Sequence, residues 1–84
     1  MNLKDLIKEV IERGICYEDA LILKSLAEKM HCIEEGGTDC GVIEALEIGI
    51  LLGSLRSRLF YDEYVKLENL VLDLIEKNLL KKKM

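Results

Sequence analysis

Apolar residues recur at every third or fourth position along most of this chain, which is the spacing of an amphipathic α-helix. The first such run covers residues 3–13, with Asn2 placed to cap its start and Gly14 placed to end it. The second covers residues 17–31, and its apolar stripe consists of Ala20, Leu23, Leu26, Ala27 and Met30. No segment alternates between apolar and polar residues as a half-buried strand does. The pattern therefore predicts an all-α chain.

Two adjacent glycines interrupt the helical period within residues 32–38, so we expect this segment to be a loop. The period resumes over residues 39–58 and again over residues 62–80. The lysine-rich last four residues, 81–84, suit the end of a helix and are expected to fray there. The sequence thus predicts a single domain built as a small four-helix bundle.

The third predicted helix is the most apolar of the four. Glu44 and Glu47 mark one narrow polar side, and apolar or small residues cover about two-thirds of the circumference. A helix with this distribution is expected at the centre of a bundle, where its neighbours enclose it.

Small residues recur at every fourth position of the same helix, namely Gly41, Ala45, Gly49, Gly53 and Ser57. Each glycine inside a helix costs about 1 kcal/mol relative to alanine, so we expect a contact that offsets this cost. Small residues at this spacing form a groove in which a second helix lies at short backbone distance. That second helix is either another helix of this chain or the same helix of a second copy.

A second apolar flank on the fourth helix favours the second copy. Beside its main stripe, this helix carries Val65, Leu72 and Leu79 at seven-residue intervals. Three companion helices cannot cover that flank and also enclose the third helix, and uncovered apolar surface usually marks an interface. We therefore expect a twofold homodimer formed through helices 3 and 4. The predicted interface consists of Ala45, Gly49, Leu52, Gly53, Ser57, Val65, Leu72 and Leu79.

The composition agrees with an extra buried face. Half of the 84 residues are hydrophobic, whereas a chain of 9.6 kDa has room for only a modest core. Charged residues make up 33% of the chain, and the longest uncharged run, residues 48–55, is far shorter than the roughly 20 residues of a membrane-spanning helix. We therefore expect no membrane partner.

The charge distribution predicts a protein partner. The net charge is −4, and no Lys or Arg occurs between Lys29 and Arg56. Direct nucleic-acid binding is not expected, because it needs a basic face. The predicted partner-binding surface consists of the five acids in this interval, Glu34, Glu35, Asp39, Glu44 and Glu47. We expect a small non-enzymatic regulator or inhibitor that presents this surface to a protein, such as a nucleic-acid-handling protein with a basic face.

Cysteines and a histidine raise the question of a metal site. His31, Cys32 and Cys40 lie within ten residues of one another, but they lack the paired spacing of zinc ligands. The odd number of cysteines and the charged amino-terminal segment argue against a secreted module held by disulfides. We therefore expect reduced thiols, a cytoplasmic location, and neither a metal nor another cofactor.

A cluster of arginines and tyrosines provides an alternative function. Arg56, Arg58, Tyr61 and Tyr64 place positive charge beside aromatic rings, a grouping found at nucleotide sites and at protein interfaces. The arginines also suit the negative end of a helix. The alternative is therefore a helical oligomer that binds a nucleotide or another small ligand. No catalytic residue is predicted, because the carboxylates lie on solvent-facing sides without the signature of a pocket.

Overall fold

The computed structural model describes residues 2–36 and 40–80, with the backbone alone at residues 79 and 80. These residues form, in order, α1 (Leu3–Arg13), α2 (Tyr17–Glu35), α3 (Val42–Leu55), α4 (Tyr61–Ile75) and a π-helical continuation of α4 (Glu76–Leu80). The described ranges contain no strand, so the predicted all-α class with four helices is confirmed. None of their helices is long and apolar enough to cross a lipid bilayer. The segment predicted to fray, 81–84, lies outside the described residues.

Helix α1 has the predicted ends because local chemistry decides both of them. The Asn2 side chain accepts a hydrogen bond from the Asp5 N–H at 2.9 Å, which satisfies one of the free donors at the start of the helix. Gly14 follows the last turn with a φ of 97°, a backbone conformation that glycine adopts without the steric cost of a side chain.

Helix α2 is longer than predicted, because it continues through Glu35. Ile33 is only 2% exposed and extends the buried stripe of Leu26 and Met30 by one more turn. Gly36 then ends the helix in the left-handed conformation, with a φ of 72°, and its N–H donates to the Ile33 carbonyl. The predicted loop was therefore wrong for residues 32–35.

Helix α3 is shorter than predicted at both ends. It begins at Val42, where the Gly41 N–H donates to the Glu44 carboxylate at 2.7 Å. It ends at Leu55, whose carbonyl accepts the N–H groups of both Arg58 and Leu59 at 3.0 Å. This turn places the Leu59 side chain in the core, where it is 8% exposed, so the chain leaves the helix to bury an apolar residue.

Helix α4 begins at Tyr61, one residue before the predicted start, and its last turns widen into the π-helix. The Asn78 side chain donates to the Leu74 carbonyl at 2.9 Å in this wider region. Such a bond satisfies a carbonyl near the change in helical geometry, where the regular backbone ladder is altered.

The core is formed by the predicted stripes of α1, α2 and α4 together with one side of α3. The contact between α2 and α3 is the most extensive of the helix pairs, and α4 contacts each of the other three helices. Fully buried side chains come from every helix, as shown by Leu6, Leu26, Ile48, Leu55 and Leu67. The apolar stripes of α1, α2 and α4 are therefore buried, as their periodicity predicts.

Helix α3 is not enclosed, and the prediction of a central helix was wrong. Ile48, Leu52 and Leu55 turn towards the core, whereas Leu46 and Ile50 on the other side are 65% and 73% exposed. The helices that contact α3, namely α2 and α4, cover a single side of it. Its apolar circumference is therefore divided between a core face and a solvent-exposed face.

Candidate functional site

The exposed side of α3 is the most apolar surface of the described chain. We call it the α3 face, and it consists of Val42, Ile43, Leu46, Gly49, Ile50 and Gly53. At 100° per residue these positions fall within an arc of about 120°, and no charged residue lies among them. Its four aliphatic side chains are 65–73% exposed. Contiguous apolar surface of this kind marks an interaction site in soluble proteins.

The glycines of the α3 face are uncovered. A Cβ atom placed on Gly49 or on Gly53 would meet no other atom of the described chain within 4 Å, apart from the backbone of its own helix. No helix of the same chain therefore lies in the groove that these glycines form. Of the two occupants considered from the sequence, another helix of the same chain is therefore excluded for the described residues.

The other predicted interface residues are divided between surface and core. Ser57 is exposed, and Leu72 is 57% exposed, as an interface position must be. Leu52 is only 9% exposed and belongs to the core of the chain, so its place in the predicted interface is corrected. Ala45 is half-buried against that core, and Val65 is half-buried on α4. The side chain of Leu79 lies outside the described residues.

Two of the predicted acidic partner-binding residues are engaged within the chain. Glu44 accepts the hydrogen bond from Gly41 that begins α3. Glu47 lies 3.5 Å from the Lys29 ammonium of α2, an ion pair that joins the two helices with the most extensive contact. These two carboxylates therefore stabilise the start of α3 and its contact with α2.

The acids at the end of α2 are more accessible. Glu34 and Glu35 are both exposed, and a Glu35 oxygen lies 3.3 Å from His31 Nε2 one turn earlier. Asp39, the fifth predicted residue, lies outside the described residues. Among the described acids of this set, Glu34 and Glu35 in the last turn of α2 are therefore the most exposed.

Three of the four residues of the alternative ligand site line one cavity. Arg56, Tyr61 and Tyr64 surround a space of about 420 Å³ at the corner between α3 and α4, together with Val65 and Glu68. The Tyr64 hydroxyl donates to a Glu68 oxygen at 3.3 Å. Burial, followed by the negative charge of Glu68, raises the pKa of Tyr64 above its ordinary value.

Arg58, the fourth residue, is directed elsewhere. Its Nη1 donates to an Asp19 oxygen of α2 at 2.7 Å, and the Asp19 side chain is only 14% exposed. This hydrogen bond is the main cause that lowers the pKa of Asp19. Arg58 therefore fixes the corner between α3 and α4 to the start of α2, and it is not part of the cavity.

A buried ion pair that the sequence did not predict joins α1 to α4. Glu63 is 7% exposed, and its two oxygens accept hydrogen bonds of 2.6 Å from Nε and Nη2 of Arg13. The guanidinium also lies 3.9 Å from the centre of the Phe60 ring, and the Phe60 N–H donates to Glu63 at 2.9 Å. The Arg13 bond is the main cause that lowers the pKa of Glu63, against the opposing effect of burial.

The sequence contains only half of the signal for this ion pair. Glu63 stands three residues after Phe60, the spacing at which a glutamate caps the start of a helix. Arg13 is 50 residues away in the chain, so only the packing of α1 on α4 brings the two together. Because all its members are paired, this group is structural and is not a candidate site.

A larger groove also lies outside the predicted sites. It has a volume of about 780 Å³ between the start of α1 and the second halves of α2 and α4. Its apolar lining is formed by Leu3, Ile7, Ala27, Met30, Leu70 and Leu74. Its polar lining is formed by Asn2, Lys4, His31, Glu34, Asp73, Lys77 and Asn78. Grooves that combine apolar walls with polar groups are typical of sites for small molecules.

The cysteines do not behave as predicted. Cys32, in the last turn of α2, and Cys40, just before α3, are joined in a disulfide, so the expectation of reduced thiols was wrong for these two. Cys16 is free and exposed at the start of α2. In the described ranges, no three His, Cys, Asp or Glu side chains converge as a metal site would require.

Comparison with known proteins adds no further assignment. No protein-family model, curated protein or solved structure matches this chain. The candidate sites therefore rest on the geometry alone. Among these sites, the α3 face is the one that combines exposed apolar side chains with an open glycine groove.

Proposed function

We propose that this protein is a non-enzymatic helical interaction module that pairs with a second copy of itself through the α3 face. The observation that carries the proposal is an uncharged, uncovered helix face with two open glycines. Glycines at a four-residue spacing permit the close helix approach that offsets their cost in helix propensity. Within one chain the cost at Gly49 and Gly53 has no such compensation.

Burial of the apolar side chains of the α3 face would offset the free-energy cost of pairing. Each is about two-thirds exposed, and burying the exposed part would contribute about 1–2 kcal/mol. A pair of chains brings eight such side chains together. Their sum is comparable to the about 4–15 kcal/mol that association costs in lost freedom of motion. The face therefore supports a dimer of modest affinity.

The dipole of α3 favours an antiparallel arrangement. The start of a helix carries a partial positive charge and its end a partial negative charge, so an antiparallel pair places opposite partial charges side by side. A parallel pair would bring like partial charges together. The side-chain charges do not decide the orientation, because Glu44, Glu47 and Arg58 already have partners within the chain. We therefore infer a twofold, antiparallel contact.

Substitution of one residue on the α3 face tests the proposal. Leu46→Glu introduces a charge at the centre of the face, and Ile11→Glu places the same charge on α1, where the side chain is 56% exposed. Light scattering after gel filtration should give a mass of twice 9.6 kDa for the wild type and the control, and 9.6 kDa for Leu46→Glu. If the wild type stayed monomeric at the highest concentration loaded on the column, the proposal would be wrong.

We propose that the pair acts as a regulator by presenting the exposed acids of α2, Glu34 and Glu35, to a basic protein surface. Complementary charge steers association and makes it sensitive to salt. An arginine-rich peptide should bind the wild type in dilute buffer, and binding should weaken on addition of salt. Glu34→Gln with Glu35→Gln should abolish it, whereas Glu9→Gln with Glu12→Gln on α1 should not. Equal binding by both double variants would contradict this role.

Small-ligand binding at the corner between α3 and α4 is a second candidate, because Arg56, Tyr61 and Tyr64 line one cavity there. The Glu68 carboxylate in the same cavity favours a ligand with an aromatic ring over one with several phosphates. A ligand at 100 times its Kd adds about 2.7 kcal/mol of stability, which a thermal unfolding assay with nucleosides and nucleotides would detect. Tyr61→Ala should remove the shift, and Tyr17→Ala, at an exposed tyrosine of α2, should retain it.

A further inference from the structure

Cys32 and Cys40 are placed for reversible bond formation. Their Cα atoms are 5.9 Å apart, within the about 4.4–6.8 Å that disulfides span, and the two residues are separated by eight positions. Both residues are half-buried. The pair joins the last turn of α2 to the residue before the start of α3.

The fold allows this pairing and no other within one chain. Cys16 stands at the start of α2, and Cys32 lies sixteen residues later in the same helix. At 1.5 Å per residue the two are about 24 Å apart. Exchange between them would require α2 to unfold, so the thiol chemistry of the folded chain is confined to Cys32 and Cys40.

Other contacts besides the disulfide hold α2 against α3. Neither cysteine belongs to the hydrophobic core, which holds α2 and α3 together through side chains such as Leu26 and Ile48. Ion pairs of Lys29 with Glu47 and of Asp19 with Arg58 also join α2 to α3 or to the turn after it. We therefore expect the oxidised and reduced chains to share the same four helices, as a reversible switch requires.

The bond acts where the α3 face begins. Cys40 is followed by Gly41, which caps α3, and then by Val42 and Ile43, the first residues of the face. These two side chains are 70% and 69% exposed, so packing within the chain does little to fix them. Without the disulfide, the hydrogen bond from Gly41 to Glu44 is the principal local restraint on this turn.

We propose that Cys32 and Cys40 form a reversible dithiol–disulfide pair whose oxidation by a small-molecule disulfide, such as oxidised glutathione, strengthens pairing through the α3 face. The regulatory part rests on the proposed function. If the disulfide already orders the first turn of α3, association of two chains does not have to order it. The cost of ordering about one residue in each of the two chains corresponds to a roughly hundredfold change in the dissociation constant.

The reaction is thiol–disulfide exchange in two steps. One protein thiolate attacks a sulfur of oxidised glutathione, so that a mixed disulfide forms and one glutathione thiolate leaves. The second protein thiolate then attacks the protein sulfur of the mixed disulfide, which forms the Cys32–Cys40 bond and releases the second glutathione thiolate. The protein loses two electrons and two protons, which the two glutathione molecules gain.

The test uses the full chain carrying Cys16→Ser, so that no exposed thiol links two molecules. The protein is reduced, or treated with oxidised glutathione, and both forms are measured by mass spectrometry and by sedimentation equilibrium. We expect oxidation to remove two hydrogen masses without a glutathione adduct, to reverse with dithiothreitol, and to lower the dissociation constant of the pair roughly hundredfold. A variant that also carries Cys32→Ser and Cys40→Ser should keep one dissociation constant under both treatments.

Each outcome separates the redox chemistry from the pairing. A stable glutathione adduct, or free thiols after treatment, would overturn the reversible pair. Equal dissociation constants for the oxidised and reduced forms would overturn the regulation and leave the proposed function standing. Two monomeric forms would overturn the proposed function and the regulation together, while the mass measurement still reports whether the pair forms.

Discussion

At Glu63, one carboxylate joins three parts of the chain. It holds Arg13 of α1 through two hydrogen bonds, and it caps α4 through the Phe60 N–H. The guanidinium in turn stacks on the Phe60 ring, while the Glu63 side chain is buried. Because the pKa of Glu63 is lowered, its charged form stabilises the folded state.

Glu63→Gln should lower the free energy of unfolding by about 1.5–3 kcal/mol at neutral pH, because a charged hydrogen-bonded group is lost. The folded pKa of Glu63 lies below the ordinary value of 4.5, so its contribution is complete above pH 4.5 and is lost as the pH falls through the lowered pKa. Urea unfolding of wild type and variant should therefore converge in acid. Glu12→Gln, at an exposed position of α1, should match the wild type throughout, and a Glu63→Gln deficit that persists in acid would contradict the assignment.

Cys16 occupies the cap position of α2 without using it. Its side chain makes no capping hydrogen bond to the helix N–H groups, and two acids follow it in the first turn. Serine is among the preferred residues at this position because its hydroxyl accepts such a bond. Cys16→Ser should therefore raise the free energy of unfolding by about 0.5–1 kcal/mol. Cys16→Val, which removes capping ability, serves as the control, and equal stability of the two variants would count against the argument.

Among the helices, α3 shows how far periodicity predicts structure. Its residues are apolar nearly all round, and the pattern alone does not distinguish enclosure by the same chain from enclosure by another. The packing of α2 on α3 determines which side of α3 faces the core, and it leaves Gly49 and Gly53 uncovered. By contrast, both ends of α1 were predictable, because Asn2 and Gly14 act on their own backbone neighbours.

Gly49→Ala with Gly53→Ala should act in opposite directions on the chain and on the pair. A Cβ meets no described atom at either position, so each substitution should raise the stability of the separate chain by about 1 kcal/mol through helix propensity. In the pair, the same methyl groups hold the helices apart and weaken association. Unfolding monitored by circular dichroism at low concentration, together with sedimentation at high concentration, measures both effects.

Ser25→Ala on α2 is the control for these glycine substitutions, because it also removes a weaker helix former but lies on another helix. It should leave the dissociation constant unchanged. If the glycine variants were more stable and associated as well as the wild type, the groove would not be the contact surface.

For the molecule as a whole, the sequence predicted the class and the buried stripes, because each depends on residues three or four positions apart. Contacts between distant parts of the chain were not predictable in this way. Arg13 meets Glu63 across 50 residues, and Cys32 meets Cys40 only because α2 and α3 turn back on each other. The sequence therefore predicted which residue types the candidate sites contain. Which of those residues lie together depends on how the helices pack.

Dilution of a ¹⁵N-labelled sample, followed by two-dimensional NMR, tests the central claim most directly, because it detects association and locates it in one measurement. Fast or intermediate exchange between monomer and dimer changes the amide signals of residues that enter the contact. We predict that the concentration-dependent signals lie in residues 42–53, with smaller changes at the ends of α3, and that the signals of α1 stay constant. Spectra that do not change with concentration, or changes confined to α1, would contradict pairing through the α3 face.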